Sequence, residues 1–297
     1  MKDTRRARCI SAENVVKFEA EKEGGGLAAD ELWIPFRGMN VHIKVIEPEG
    51  ALLRRVFVLS SPVISTFNWR KILPEMNQAG ALTVVMDLPG FGQSACGPGA
   101  PQDNRTRASL AWGVIDEIDA GLGEEGAWHL IGHGSACQVL MDMANLHPDS
   151  VSSQIYICPL LAESWLHMGG LTHAGWYRRN IESPAGFRAF VERLAARPLD
   201  EYVVDAMRQP YLRRGAEESF LRMLTSRGRP QPLRGFAPVM ALMGEKDPLQ
   251  DRRETDRMRE LIPEAEIHTL KTAGHLPMET HSHALRDYIR GWMNYVG

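Results

Sequence analysis

Short apolar runs alternate along most of the chain with stretches that carry an apolar residue at every third or fourth position. The continuous runs are Arg55–Leu59, Leu82–Met86, Ala127–Ile131, Ser153–Cys158, Ala237–Met243 and Glu266–Leu270. Such runs are typical of strands buried on both faces, as in a parallel sheet covered by helices. Leu32–Phe36 and Val41–Ile46 instead alternate around the turn Arg37-Gly38-Met39-Asn40, which predicts an antiparallel hairpin. The pattern predicts an α/β fold with a mostly parallel sheet.

Helical periodicity fills the intervals between the strands and then changes character once. Helices are predicted at Asn104–Gly121, from Ala136 to about His147, at Arg252–Leu261 and at His281–Tyr295. Residues 162–236 instead contain short helical patterns interrupted at Pro184, Pro198, Pro210 and Pro230. We therefore expect an N-terminal extension over residues 1–30, a core domain formed by 31–161 and 237–297, and an inserted helical segment over 162–236.

Composition and charge narrow the class of protein. The 297 residues are 44% hydrophobic and 24% charged, enough to bury a large core. A net charge of −3 gives no sign of a nucleic-acid or anionic-membrane partner. No apolar run approaches the roughly 20 residues of a membrane span, and the four cysteines show no C-x-x-C spacing. We expect a cytoplasmic protein with reduced cysteines that acts on a small molecule; the sequence leaves a homodimer open.

Four motifs follow the strands in a fixed order. They are His129-Leu130-Ile131-Gly132-His133-Gly134-Ser135-Ala136-Cys137, a D-x-P-G-x-G-x-S loop at Asp87–Ser94, a G-x-x-D-P turn at Gly244–Pro248 and a G-H-x-x-x-E loop at Gly274–Glu279. Together they resemble the α/β-hydrolase superfamily, in particular its cap-containing epoxide hydrolases, haloalkane dehalogenases and C–C hydrolases. The resemblance implies a mostly parallel eight-stranded sheet flanked by helices, with residues 162–236 as a helical cap.

The same resemblance implies that the usual nucleophile is missing. In the family's G-x-Nuc-x-G elbow, Gly132 takes the first position and Gly134 that of the nucleophile. Ser135 lies one residue further along the turn, where its side chain leaves in another direction. Ser60-Ser61-Pro62 occupies the family's oxyanion loop, and Pro62 has no N–H to donate. An engineered glycine at position 134 would not explain this second change.

Asp247 and His275 are the expected catalytic residues, because the resemblance places them as acid and base of a triad. A carboxylate that orients an imidazole allows it to accept and return a proton near neutral pH. We therefore favour general acid–base chemistry of the lyase, isomerase or cyclase type on a small carbonyl compound. Ser60, Ser61 and the N–H of Ser135 would then donate to an enolate oxygen, partly replacing the donor lost at Pro62.

Two alternatives remain open. His275 could activate a water that hydrolyses an ester, lactone or thioester in the space left at Gly134, although Pro62 weakens the oxyanion site that this requires. Otherwise the protein binds a ligand without turnover, and the Asp247–His275 pair is a satisfied buried pair.

Substrate character is suggested by the start of the cap. Trp165 and Trp176 accompany His167, His173, Tyr177, Arg178 and Arg179, a cluster that would suit an aromatic, conjugated or anionic substrate. The alternative is a solvated arginine-rich face. No metal cluster, P-loop or dinucleotide fingerprint occurs, since the third glycine of G-x-G-x-x-G would fall at Cys137. We expect no cofactor and no metal.

Overall fold

A computed structural model describes residues 16–17, 29–162, 173–225 and 230–296. Trp165 and His167 lie outside these residues. The strands form one sheet in the order β1-β2-β3-β5-β4-β6-β7-β8-β9. Their bounds are β1 Val16–Lys17, β2 Asp30–Phe36, β3 Met39–Ile46, β4 Arg54–Ser60, β5 Ala81–Asp87, β6 Trp128–His133, β7 Val151–Ile157, β8 Val239–Gly244 and β9 Glu266–Leu270.

Helices flank the sheet and fill the insertion between β7 and β8. Their bounds are α1 Leu73–Gln78, α2 Asn104–Leu122, α3 Ala136–Leu146, α4 His173–Tyr177, α5 Pro184–Ala195, α6 Glu201–Arg208, α7 Ala216–Thr225, α8 Arg252–Leu261, α9 Pro277–Thr280 and α10 Ser282–Val296. Short helical turns also occur at Thr66–Trp69, Pro148–Ser150, Arg178–Glu182 and Gln209–Leu212. Among the described residues, no helix has both the length and the apolar character needed to cross a membrane.

The parallel part of the sheet runs from β5 through β4, β6, β7 and β8 to β9. Every residue of β5, β6 and β8 is buried, as continuous apolar runs covered on both faces require. The carboxyl ends of parallel strands share one edge, so the loops after β4, β6 and β8 meet above the middle of the sheet. The candidate site lies there.

The eight strands expected from the sequence are all present, and the expected mostly parallel α/β sheet is confirmed. The hairpin β2–β3 turns through Arg37 and Gly38 alone, since Phe36 pairs with Met39. Both turn residues have positive φ, at 48° and 78°, as a two-residue hairpin turn demands. The additional strand β1 pairs with β2, so part of the expected N-terminal extension joins the edge of the sheet.

The described residues of the inserted segment form helices, and its prolines take different positions in them. Pro184 is the first residue of α5 rather than a break, because proline fits the first helical turn. Pro198 separates α5 from α6, and Pro210 lies within the helical turn that follows α6. We call α4 to α7 the cap helices and propose residues 162–236 as the limits of the cap.

Candidate active site

The elbow between β6 and α3 holds Gly134 in a backbone conformation that side chains rarely adopt. Its φ is +56°, and its main chain is fixed by bonds from its N–H to Ile157 O at 2.9 Å and from Leu160 N–H to its carbonyl at 3.1 Å. A Cβ atom added at this position would lie 3.2 Å from the Nε2 of His275 and 3.4 Å from the Cβ of Ser61. A side chain at residue 134 would therefore point at the imidazole.

Asp247 and His275 come together as the sequence predicts. Asp247 follows β8, His275 follows β9, and the Nδ1 of His275 bonds the Oδ2 of Asp247 at 2.7 Å. Both side chains are buried, and Leu249 N–H donates to the other carboxylate oxygen at 2.8 Å. The His275 N–H donates to the Leu194 carbonyl at 2.6 Å, which joins the imidazole loop to the end of α5. The carboxylate fixes the ring with Nε2 directed toward Gly134.

A serine–histidine contact lies beside the Asp247–His275 dyad. Ser61 Oγ is 2.8 Å from His133 Nδ1, and His133 Nε2 is 2.6 Å from the main-chain carbonyl of His275. Burial, and then the neighbouring His275, lower the pKa of His133 well below its usual value, so the ring is neutral. Because a carbonyl only accepts, Nε2 carries the ring proton, and Nδ1 accepts the hydroxyl proton of Ser61. The proton of Ser61 is therefore directed at His133 in this arrangement.

The other residues of the oxyanion loop are held from two sides. The Ser60 hydroxyl accepts a hydrogen bond from Trp69 Nε1 at 3.2 Å within the core. Pro62 is buried, and its carbonyl accepts a hydrogen bond from the Tyr211 hydroxyl of the cap. The Tyr177 hydroxyl donates in turn to the Tyr211 carbonyl at 3.0 Å. Ser135 is the residue immediately before α3, where N–H groups lack helical acceptors.

Glu279, the last residue of the G-H-x-x-x-E motif, anchors the imidazole loop. Its buried carboxylate accepts two bonds from Arg70, at 2.6 and 2.8 Å, and one from Asn68 at 2.9 Å. Lys71 lies 3.4 Å from the same carboxylate. Asn68 and Arg70 belong to the segment that follows the oxyanion loop. Their bonds to Glu279 therefore hold this segment in fixed relation to the loop of His275.

The aromatic cluster at the start of the cap is only partly described. Trp176 stacks on Phe220, with ring centroids 5.7 Å apart, and meets Phe190 edge to face. Arg178 and Arg179 are exposed, as the solvated-face interpretation expects. In the described residues, Trp176 therefore contributes to packing among the cap helices.

One group of metal-ligand atoms occurs at the dyad. Cys158 Sγ, a carboxylate oxygen of Asp247 and a ring nitrogen of His275 lie within 4.8 Å of one another. Burial, and then the charge of Asp247, raise the pKa of the Cys158 thiol well above its usual value. A metal would have to displace both the thiol proton and the hydrogen bond of the dyad, so the donor set fits proton transfer better.

Sequence reasoning did not assign roles to His133 or Tyr211. His133 ends β6 between the two elbow glycines, and a histidine there, together with Ser61 in the oxyanion loop, was a signal for their pairing. Tyr211 carried no such signal, because it reaches Pro62 from 149 residues along the chain.

Comparison with known proteins identifies the family. A family model described as the alpha/beta hydrolase family matches residues 65–288, and the chain belongs to that family. Similar solved structures include an alpha/beta hydrolase fold protein from Burkholderia ambifaria, with 19% identity, a TM-score of 0.67 and coverage of 86% of this chain and 96% of that one. None of the curated proteins matches the chain at a significant level.

Two further structural neighbours are named as hydrolases. Epoxide hydrolase CorEH shares 16% identity, with a TM-score of 0.68 over 91% of this chain and 100% of that one. A serine hydrolase involved in carbazole degradation shares 13%, with a TM-score of 0.71 over 90% and 100%. At these identities the likeness establishes the fold.

Proposed function

We propose that this enzyme uses His275, oriented by Asp247, for general acid–base chemistry on a small organic carbonyl compound. The reaction is of the lyase, isomerase or cyclase type and forms no covalent intermediate at residue 134. The proposal depends mainly on one observation: His275 Nε2 faces, at 3.2 Å, a side-chain position that glycine leaves empty. A substrate carbon or oxygen can approach the base where a nucleophile would otherwise stand.

The surroundings of His275 support proton transfer. The base is buried and held by a carboxylate at 2.7 Å, which stabilises the imidazolium formed when a substrate proton is taken. Pro62 lacks the N–H that would hold a tetrahedral oxyanion, whereas the N–H of Ser135, at the start of α3, can donate to an enolate oxygen. A positioned base of this kind contributes about 10²–10⁴ in rate.

Proton transfer can be measured before the natural substrate is known. Small ketones and β-dicarbonyl compounds are incubated with the protein in D2O, and exchange of their α-protons is followed by NMR. We expect exchange by wild type and a loss of about 10²-fold or more in His275→Ala. Exchange that is absent from wild type, or unchanged in His275→Ala, would refute the proposal; binding without exchange would indicate a ligand-binding protein.

Hydrolysis by a His275-activated water is the second candidate, favoured by the hydrolytic names of the structural neighbours. Wild type, Gly134→Ser and the double variant Gly134→Ser/His275→Ala are assayed with p-nitrophenyl esters and thioesters. We expect a fast burst in Gly134→Ser, absent from wild type and from the double variant, because a serine there would contact Nε2. Multiple-turnover hydrolysis by wild type that needs His275 would instead establish the second candidate.

A further inference from the structure

The side-chain position that Gly134 leaves empty is bordered by His275 of the dyad and by Ser61, whose hydroxyl contacts His133. Ser61 Oγ lies 3.5 Å from the Cβ position of residue 134, while His275 Nε2 lies 3.2 Å from it. The rings of His133 and His275 are packed with centroids 4.6 Å apart. The hydroxyl of Ser61 is thus next to the volume that a catalytic nucleophile would occupy.

We propose that Ser61 and His133 form a nucleophile–base pair separate from the Asp247–His275 dyad, and that Ser61 accepts the acyl group of small activated esters. A nucleophilic serine requires a base within hydrogen-bond reach and a third group that orients the base. His133 Nδ1 is 2.8 Å from Ser61 Oγ, and the main-chain carbonyl of His275 orients the ring through Nε2 at 2.6 Å. A carbonyl here takes the place of a triad carboxylate.

The neighbouring serines do not have this arrangement. The Ser60 hydroxyl contacts the Trp69 indole, which can only donate, and the Ser135 side chain makes no cap bond at the start of α3. Of these three serines, Ser61 alone has both a basic nitrogen at its hydroxyl and, next to it, the side-chain position that Gly134 leaves empty.

The step balances without a cofactor. Ser61 Oγ bonds to the acyl carbon as its proton passes to His133 Nδ1, and the bond from that carbon to the leaving oxygen breaks. The proton on Nδ1 then passes to the departing alkoxide or phenoxide oxygen, which leaves as the alcohol or phenol. His133 is a weak base because burial lowers its pKa, so acylation should need a good leaving group and should be slow. We expect stoichiometric acylation rather than rapid turnover.

The two pairs can be separated by mutation. His133 bonds the main-chain carbonyl of His275 and not its ring, so His275→Ala leaves the orientation of His133 in place. Acylation of Ser61 thus tests a different pair of residues from α-proton exchange. If exchange fails and acylation occurs, the proposed function alone is refuted, and the reverse result refutes only this inference.

The probe is p-nitrophenyl acetate, and the readout is intact-protein mass followed by peptide mapping. We expect one acetyl group on Ser61 in wild type, and its loss in Ser61→Ala. The matched variant is His133→Gln, whose amide can accept from Ser61 and donate to His275 but is not basic; acetylation should slow at least tenfold. Thermal unfolding and circular dichroism of each variant establish that it is folded. Absence of acetylation in wild type, acetylation of Ser135 instead, an unchanged rate in folded His133→Gln, or a requirement for His275 would overturn the inference.

Discussion

His275 Nε2 lies 3.2 Å from the point at which residue 134 would carry a Cβ atom, and residue 134 is glycine. A methyl group at this position is thus expected to block the base. Gly134→Ala should lower α-proton exchange at least tenfold, because the substrate atom and the methyl group compete for the same space. Alanine is also strained in the left-handed backbone conformation of residue 134, φ +56°, so Gly134→Ala should lower the free energy of unfolding by about 1–2 kcal/mol.

The control for this prediction is Gly38→Ala in the β2–β3 hairpin. Gly38 has φ +78° and nothing within 4 Å of its Cβ position, so the substitution adds comparable backbone strain far from the site. Gly38→Ala should lose stability but keep exchange. Equal exchange in folded Gly134→Ala and wild type would show that the substrate does not approach His275 from this side.

The ion pair of Arg70 and Glu279 connects the segment after the oxyanion loop to the loop of His275. Removing this pair should lower the free energy of unfolding. Arg70→Met leaves the buried Glu279 carboxylate without its bidentate partner. We expect a loss of about 3 kcal/mol in the free energy of unfolding, measured by urea titration. Arg252→Met, which removes an exposed pair with Asp256, should cost less than about 0.5 kcal/mol. Similar losses in the two variants would contradict the anchoring role of Glu279.

Protonated His42 is expected to stabilise the folded protein, and this stabilisation should be lost at alkaline pH. Burial lowers its pKa, but the hydrogen bond to Asp87 at 2.9 Å and the Glu31 carboxylate, 3.8 Å from Nε2, outweigh this effect and raise the pKa to about 9. The unfolded chain loses this proton near pH 6.5, so the stabilisation is complete below that pH and is lost as the pH rises through 9. Moving the pKa from 6.5 to about 9 corresponds to about 3 kcal/mol.

Urea titrations at pH 6, 8 and 10 test this prediction. Wild type should lose stability across the series, and His42→Gln should lose much less because its amide does not titrate. His268→Gln, at a partly exposed histidine paired with Glu266, should behave like wild type. A wild-type stability that does not change between pH 6 and 10 would contradict the assignment.

The motifs predicted the main chain of the site better than its side-chain contacts. Local patterns were sufficient for the strands, because each strand depends on a short run of residues. The elbow at Gly134 and the Asp247–His275 pair were expected from the resemblance of the motifs, each of which follows one strand. The contacts of Ser61 with His133 and of Pro62 with Tyr211 were not predicted. They join residues 72 and 149 positions apart, and only the packing of separate loops brings them together.

Substitution of the buried Glu254, which contacts the residues that lead into the cap, is predicted to stabilise the protein. Burial raises the pKa of its carboxyl to about 7, although N–H groups of Ala162 and Leu161 donate to Oε2 at 2.9 and 2.6 Å; Asp251 and Asp247 raise it further. Its Oε1 atom is buried without a partner in the described part of the chain.

The sign of the pH effect follows from proton binding. Between pH 4.5 and about 7 the folded protein holds this proton and the unfolded chain does not, so stability falls as the pH rises through that window. Glu254→Gln keeps an acceptor for the two N–H groups and has no charge to bury. We expect it to be about 1–3 kcal/mol more stable than wild type at pH 8, with a smaller difference at pH 5. Glu260→Gln, on the exposed face of α8, is the control and should leave the free energy of unfolding nearly unchanged at both pH values. If Glu254→Gln were no more stable than wild type at pH 8, burial of the charged Glu254 carboxylate would carry no net cost.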